Sequence, residues 1–353
     1  MLTVMNEFCR VSDLTMAGRD MGAAEARQLE SVLEANPEDL DARVKLIGFH
    51  FGKDIWNRQR REQLCKHIFW LVQNCPHHEI LKHPEARPHF YSVQDELYER
   101  GKQLWNEQVS KHSDSAVVLV NASRFFNHSD WDRAISLLEA SLQLDPQNTD
   151  IKEKLAFACE LGAKSGKSDE RLHRAITLRD ELLNLVVPEK QSRALAHLAE
   201  TAYRIEDFEK CRTASEQILQ LAASGFCDPD QFHQAHQFIG LLQLRNDDRS
   251  RACSSLLESA TVKATPVLSS FGPKFYLAKQ LLDLGERANV LKYLEACSVF
   301  WESGQTDLAY WWLAITLGRN PQLNKQGSVE LCFPDWLNGL AGGVMSIIRT
   351  WHR

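Results

Sequence analysis

From end to end the chain repeats one pattern: apolar residues at helical spacing, cut at intervals by polar turns. Strict apolar–polar alternation over five or more residues is hard to find, and no strand–turn–strand signal occurs. A chain patterned this way builds amphipathic helices, and none of them can hide its apolar face alone. The turn signals draw the helices into pairs: 42–51 with 58–74, 116–127 with 130–143, 148–162 with 169–186, 190–204 with 207–222, 230–245 with 248–262, and 272–284 with 286–301. Further helices are expected over 23–35, 92–111, 305–318 and 335–350. The later pairs recur at about 40 residues, with shorter units of about 34, the range of stacked helical hairpins.

The stretch SDWDRAISLLEASLQLDPQN, 129–148, shows one such unit closely. Asp130 can cap a helix whose inner face is Ala134, Ile135, Leu138 and Leu142. Asp145-Pro146 ends it, because the residue before a proline is pushed out of the α region. The preceding SAVVLVNASRFFNH is a second helix of similar length. Small Ala134 and Ser141 stand where the two would cross.

On these residues, 115–148 resembles a tetratricopeptide (TPR) repeat. Val118, Asn121, Ala122, Phe125, Ala134, Leu138, Ser141 and Pro146 occupy its signature positions, with Val118 and Asn121 departing from the usual Trp and Leu. Weaker units in register carry Leu195, Leu198, Ala199, Tyr203 and Cys211; Ile239, Gly240, Ala252 and Leu256; Leu277, Ala278, Leu281, Gly285, Leu294 and Cys297; and Val44, Ile47, Gly48 and Phe51. The resemblance spans 23–301. The run from Thr265 to Trp301 also resembles the C-terminal part of an uncharacterised bacterial TPR family. What the resemblance implies is an all-α fold, an α-solenoid of stacked hairpins in a right-handed superhelix. The expected organisation is a helical region with degenerate repeats over 1–76, an irregular connection at 77–92, a main array over 93–304 and capping helices over 305–353.

A net charge of −6 argues against a chain built to neutralise phosphates, so no nucleic-acid partner is expected. The most basic patch, Lys53–His67, also holds Asp54 and Glu62 and reads as a solvated helix face. The N-terminus has neither the basic start nor the apolar run of a secretory signal. No window is long and apolar enough to cross a bilayer; the nearest, Trp336–Trp351, carries Asn338 and reads as a packing helix. Nine cysteines, an odd number at small positions inside helical patterns, fit buried thiols in a reducing cytoplasm.

Chemistry-bearing motifs each meet a plainer reading. GAKSGKS, 162–168, has three residues between its glycines where a phosphate-binding loop needs four, and it follows a helix; it reads as a polar loop with a C-cap at Gly162. HHEILKH, 77–83, lies near Cys65 and Cys75, but His78 and His83 are five apart and diverge on a helix, so the segment reads as a solvated loop. His233 and His236 read as groove or surface residues. The pairs His197 with Glu200 and Asp247 with Asp248 arise freely on charged helices, and no nucleophile elbow, dinucleotide or kinase pattern occurs. No catalytic residue, metal or cofactor is therefore expected. Trp131, Trp301, Trp311 and Trp312 read as core or capping residues.

The resemblance also implies a working surface, because stacked hairpins line a concave groove with their first helices. The groove positions of the repeat give Leu119, Ser123, Phe126 and Asn127 in one unit. They give Arg193, Glu200, Tyr203 and Arg204 in a second, and Gln237, Leu241 and Arg245 in a third. The Lys and Asn that grip a terminal carboxylate in the chaperone-tail type are replaced by Phe49, Ser123, Glu200, Leu241 and Lys279, so that clamp is absent. The expected function is a non-enzymatic scaffold binding a protein or peptide, with Arg204 and Arg245 as contacts for an acidic segment. Two other readings stay open here: a metal- or nucleotide-dependent enzyme using 77–92 and 162–170, and self-association through the C-terminal Trp-rich helices.

Overall fold

Each polar turn of the sequence closes a pair of helices. The structure, a computed structural model, describes residues 2–51, 57–87, 95–127, 129–163 and 168–323. These form seventeen α-helices and short 3-10 turns, with no strand among the described residues. Two compact units divide the chain, Met1–Arg171 and Leu172–Arg353.

In the first unit α1 (Leu2–Asp20), α2 (Ala23–Ala35), α3 (Leu40–Phe51) and α4 (Arg58–Asn74) come first. Then follow α5 (Glu96–Lys111), α6 (Ala116–Phe126), α7 (Trp131–Leu144) and α8 (Thr149–Gly162). The α1–α3 crossing is close: a Cβ on Gly18 or Gly48 would stand 2.0 or 2.2 Å from the carbonyl oxygens of Lys45 and Thr15. The α6–α7 hairpin has the predicted design. Asp130 caps α7 by accepting the Arg133 N–H at 2.9 Å, and Ala134 and Ser141 are wholly buried at the crossing, where Ser141 Oγ donates to the Ala116 carbonyl at 3.0 Å.

The connection after α4 departs from the sequence reading. Instead of a solvated loop, residues 79–82 and 84–86 form 3-10 turns, and the first packs against α1, α4 and α6. Ile80 is 0% exposed and joins the core of Val11, Ile68, Leu71, Val118 and Phe126. The side chain of Asn121 donates to the Pro76 carbonyl at 3.0 Å and ties α6 to this connection.

The helix α9 (Ser168–Leu183) enters the second unit. There α10 (Pro188–Arg204) pairs with α11 (Phe208–Ala223), and α12 (Pro229–Arg245) with α13 (Arg249–Ser259). A six-residue helix, α14 (Pro266–Phe271), precedes the third pair, α15 (Tyr276–Asp283) with α16 (Arg287–Cys297), and α17 (Gln305–Thr316) packs on α16. The first helices form one row, α10 beside α12 beside α15, and the second helices pack behind them. This consecutive-hairpin packing is of the tetratricopeptide kind. Its core runs through Ala199, Cys211, Phe238, Leu277, Tyr293 and Trp311.

One corner recurs between the helices of these pairs. Glu206 (φ 63°), Asp247 (φ 57°) and Gly285 (φ 89°) each take the left-handed conformation, and the next N–H reaches back to Ala202, Gln243 or Leu281. Glycine suits this corner and a side chain does not. Glu206→Gly is therefore expected to raise stability by about 0.5–1 kcal/mol, read from the urea midpoint. A lower midpoint would mean that the glutamate side chain contributes a contact outweighing the strain.

Within the helical region expected over 1–76, helix α1 was not drawn individually, and α14 was unanticipated. The expected helix over 335–350 and residues 164–167 lie outside the described residues. No helix among the described residues is long and apolar enough to cross a membrane.

Candidate partner-binding groove

In the second unit the row of first helices leaves an open hollow of about 410 Å³. Glu200, Tyr203 and Arg204, from the last turns of α10, form one wall. Phe238 and Leu241 of α12 are buried and make the floor. Tyr276, Lys279 and Asp283 of α15 stand opposite. The spacing is helical in origin, since residues three and four apart share one face.

The hollow has an aromatic bed with charges of both signs around it. Tyr203 tilts against Phe238 at 5.4 Å between ring centroids, and Phe238 meets Tyr276 at 6.5 Å. Tyr276 is 46% exposed and presents its ring to the hollow. Glu200 is held by Gln234, whose Nε2 donates to its carboxylate at 3.0 Å and to the Ala196 carbonyl at 3.2 Å. Such a surface can bury an apolar anchor while its rim orients flanking charges.

Of the sequence-derived groove residues, the structure brings Glu200, Tyr203, Arg204 and Leu241 to this hollow. It places the others elsewhere. Arg193 is exposed on the N-terminal half of α10, away from the lining. Gln237 is 0% exposed and structural: its Nε2 donates to Ser259 Oγ at 2.9 Å, and its Oε1 accepts the Leu277 N–H at 3.2 Å. Arg245 is exposed outside the lining and lays its guanidinium over the Phe208 ring at 3.6 Å. His233 is buried between the Ser259 carbonyl and the Lys274 N–H, and is not a groove residue.

The first-unit positions form no trough. Leu119, Ser123 and Phe126 are buried, and Asn127 is half-buried at the end of α6. The cause is enclosure, because α5, α7 and the turn at 79–82 all pack on α6. Tyr276, Phe238 and Asp283 were missed by the sequence reading. The signal was there in YLAKQLLD, where Lys279 and Asp283 stand one turn apart.

The alternative sites have physical accounts of their own. Cys65 is buried, and burial pushes its thiol up to about 12. His83 is buried and stacks on Phe8 at 4.5 Å. Gly162 ends α8 with its carbonyl accepting from Arg171 and its Cα against Trp131. Among the described residues, metal-ligating side chains converge at a different place, Glu30 with His50 and His67.

No protein-family model matches the chain, and no curated protein matches it. Among solved structures it is similar to the crystal structure of MamA, at 16% identity and a TM-score of 0.37, over 46% of this chain and 86% of that one. The MamA RS-1 ArsTM double mutant gives 17% identity and a TM-score of 0.37, over 46% of this chain and 83% of that one. The human IFIT1 dimer with PPP-AAAA gives 17% identity and a TM-score of 0.43, over 83% of this chain and 67% of that one. At these TM-scores the likenesses add nothing to the hairpin packing, on which the fold assignment stands.

Proposed function

We propose that the chain is a non-enzymatic scaffold whose hollow between α10, α12 and α15 receives an extended peptide or a helix of a protein partner. The observation that carries this reading is the shared hollow itself, with an exposed aromatic ring on a floor of buried apolar side chains. Arg204 with Lys279 and Glu200 with Asp283 supply both signs of charge, which favours an amphipathic segment carrying both acidic and basic residues beside its anchor. Unpaired cysteines, most of them buried, support work in a reducing compartment, the cytoplasm.

The test compares the full chain with the double variant Tyr276→Ala, Lys279→Glu as baits in source extract. Both positions are exposed, so the melt should stay within about 0.5 kcal/mol of the parent. Recovery of the specific partner is expected to fall at least about tenfold, the loss of a binding hot spot. A photo-crosslinking residue at Gln280 should label the same partner. Equal recovery by both baits, or labelling that misses the partner, would remove the hollow as the binding surface.

A further inference from the structure

Three helices of the first unit each send one metal-ligating side chain to a common point. These are Glu30 from α2, His50 from α3 and His67 from α4, with one ligand atom from each within 4.8 Å of the others. Glu30 Oε1 is the hub, 2.8 Å from His67 Nε2 and 3.8 Å from His50 Nε2. The two imidazoles are nearly parallel, 17° apart with centroids at 5.8 Å. Tetrahedral zinc bonds of about 2.0–2.2 Å put neighbouring ligand atoms about 3.3 Å apart, so 2.8 and 3.8 Å bracket the requirement. These two edges lie within about half an ångström of that spacing, and the third, between the imidazoles, is no longer than 4.8 Å.

His50 is among the residues with buried unsatisfied polar atoms, and the one of the three whose ring nitrogens are both left so. Its side chain is only 11% exposed, yet neither ring nitrogen has a hydrogen-bond partner. Buried polar atoms in native proteins nearly always find one. Burial, with His67 beside it, pushes His50 down to about 4, and the hydrogen bond from His67, with Lys66 adding to it, holds Glu30 down at about 2. A hollow of about 490 Å³ opens onto Glu30 and His50, which gives a cation an entry and a water a fourth position.

We propose that the first unit binds one borderline divalent cation, of which zinc is the probe, through Glu30, His50 and His67. Two neutral imidazoles and a carboxylate are a donor set of that preference. The ion would join α2, α3 and α4 at one atom. Its entry moves the His67 proton through solvent from Nε2 to Nδ1, so no net proton is released and the Arg43 Nη1 contact to Nδ1 at 3.5 Å must open. Nearby cations set the affinity. Lys66 Nζ lies 2.9 Å from the outer carboxylate oxygen, and Arg43 Nη1 lies 3.5 Å from His67 Nδ1. Arg43 is already engaged, donating to the Pro37 carbonyl and stacking on Trp70 at 3.7 Å. Lys66 is 59% exposed and free to swing away.

The test uses the full chain without a histidine tag, stripped by chelator and titrated with zinc against a chromophoric competitor. One equivalent is expected, with affinity at least about tenfold weaker in His50→Ala. Lys66→Ala, an exposed change that removes a competing cation, is expected to tighten binding severalfold. Cobalt in place of zinc should give visible d–d bands that His50→Ala abolishes. If His50→Ala does not fold, the Lys66→Ala shift and the cobalt spectrum of the parent decide. No uptake, uptake unaffected by either substitution, or stabilisation by inorganic phosphate in place of zinc would overturn the assignment.

Discussion

Phe126→Ala is expected to destabilise the first unit by about 3–5 kcal/mol, the loss for deleting a buried aromatic ring. Phe126 is 1% exposed and stands edge-on to Phe125 at 5.2 Å. Arg133 lies over its ring at 6.0 Å, and the ring belongs to a core cluster with Val118, Ala122 and Leu137. Removing it opens a cavity that α5, α7 and the turn at 79–82 cannot all close upon. Urea denaturation followed by tryptophan fluorescence would read the change. The repeat convention places the same residue in a binding groove, where its loss would leave the midpoint within about 0.5 kcal/mol. The two outcomes are far enough apart for one experiment to separate them.

Trp311→Ala should cost the second unit a similar 3–5 kcal/mol or so, and should damage the groove as well. Trp311 on α17 meets Phe275 at 5.0 Å in a T-shaped contact and Trp301 at 6.1 Å, and Phe275 meets Tyr293 at 6.0 Å. This aromatic cluster anchors the residue that leads into α15, the helix carrying Tyr276, Lys279 and Asp283. Partner recovery and thermal midpoint are therefore expected to fall together in Trp311→Ala. In the groove variant recovery falls alone. A parental melt for Trp311→Ala would show that α17 is not needed to hold α15.

Much of the fold could be read where side chains announce their role. Asp130, Asp207 and Asp248 each precede a helix and each accepts an N–H of its first turn. Helix α1 was covered only by the general helical region over 1–76, because its closest packing is carried by Gly18 and by buried Thr15, where the period of apolar residues lapses. Helix α14 is one short turn-and-a-half between Thr265 and Gly272, below the length at which periodicity speaks. On α10, which keeps a solvent-facing side, the groove offsets bring Glu200, Tyr203 and Arg204 to the hollow but not Arg193. On α6 the same offsets fall on buried Leu119, Ser123 and Phe126, since enclosure by a distant connection leaves no mark within the repeat. The cluster of Glu30, His50 and His67 draws on three helices, so no short motif could reveal it.

The short α15 bears on what the hollow can hold. At 1.5 Å per residue its 8 residues extend about 12 Å, against about 25 Å for the 17 residues of α10 and of α12. One bank of the channel thus stops halfway, and a longer occupant must lean on α10 and α12 alone past that point. Grip is concentrated over roughly two helical turns of a guest, and the remainder of its chain can leave sideways without threading an end. Ligands embedded in the middle of a long polypeptide are therefore as admissible as free tails.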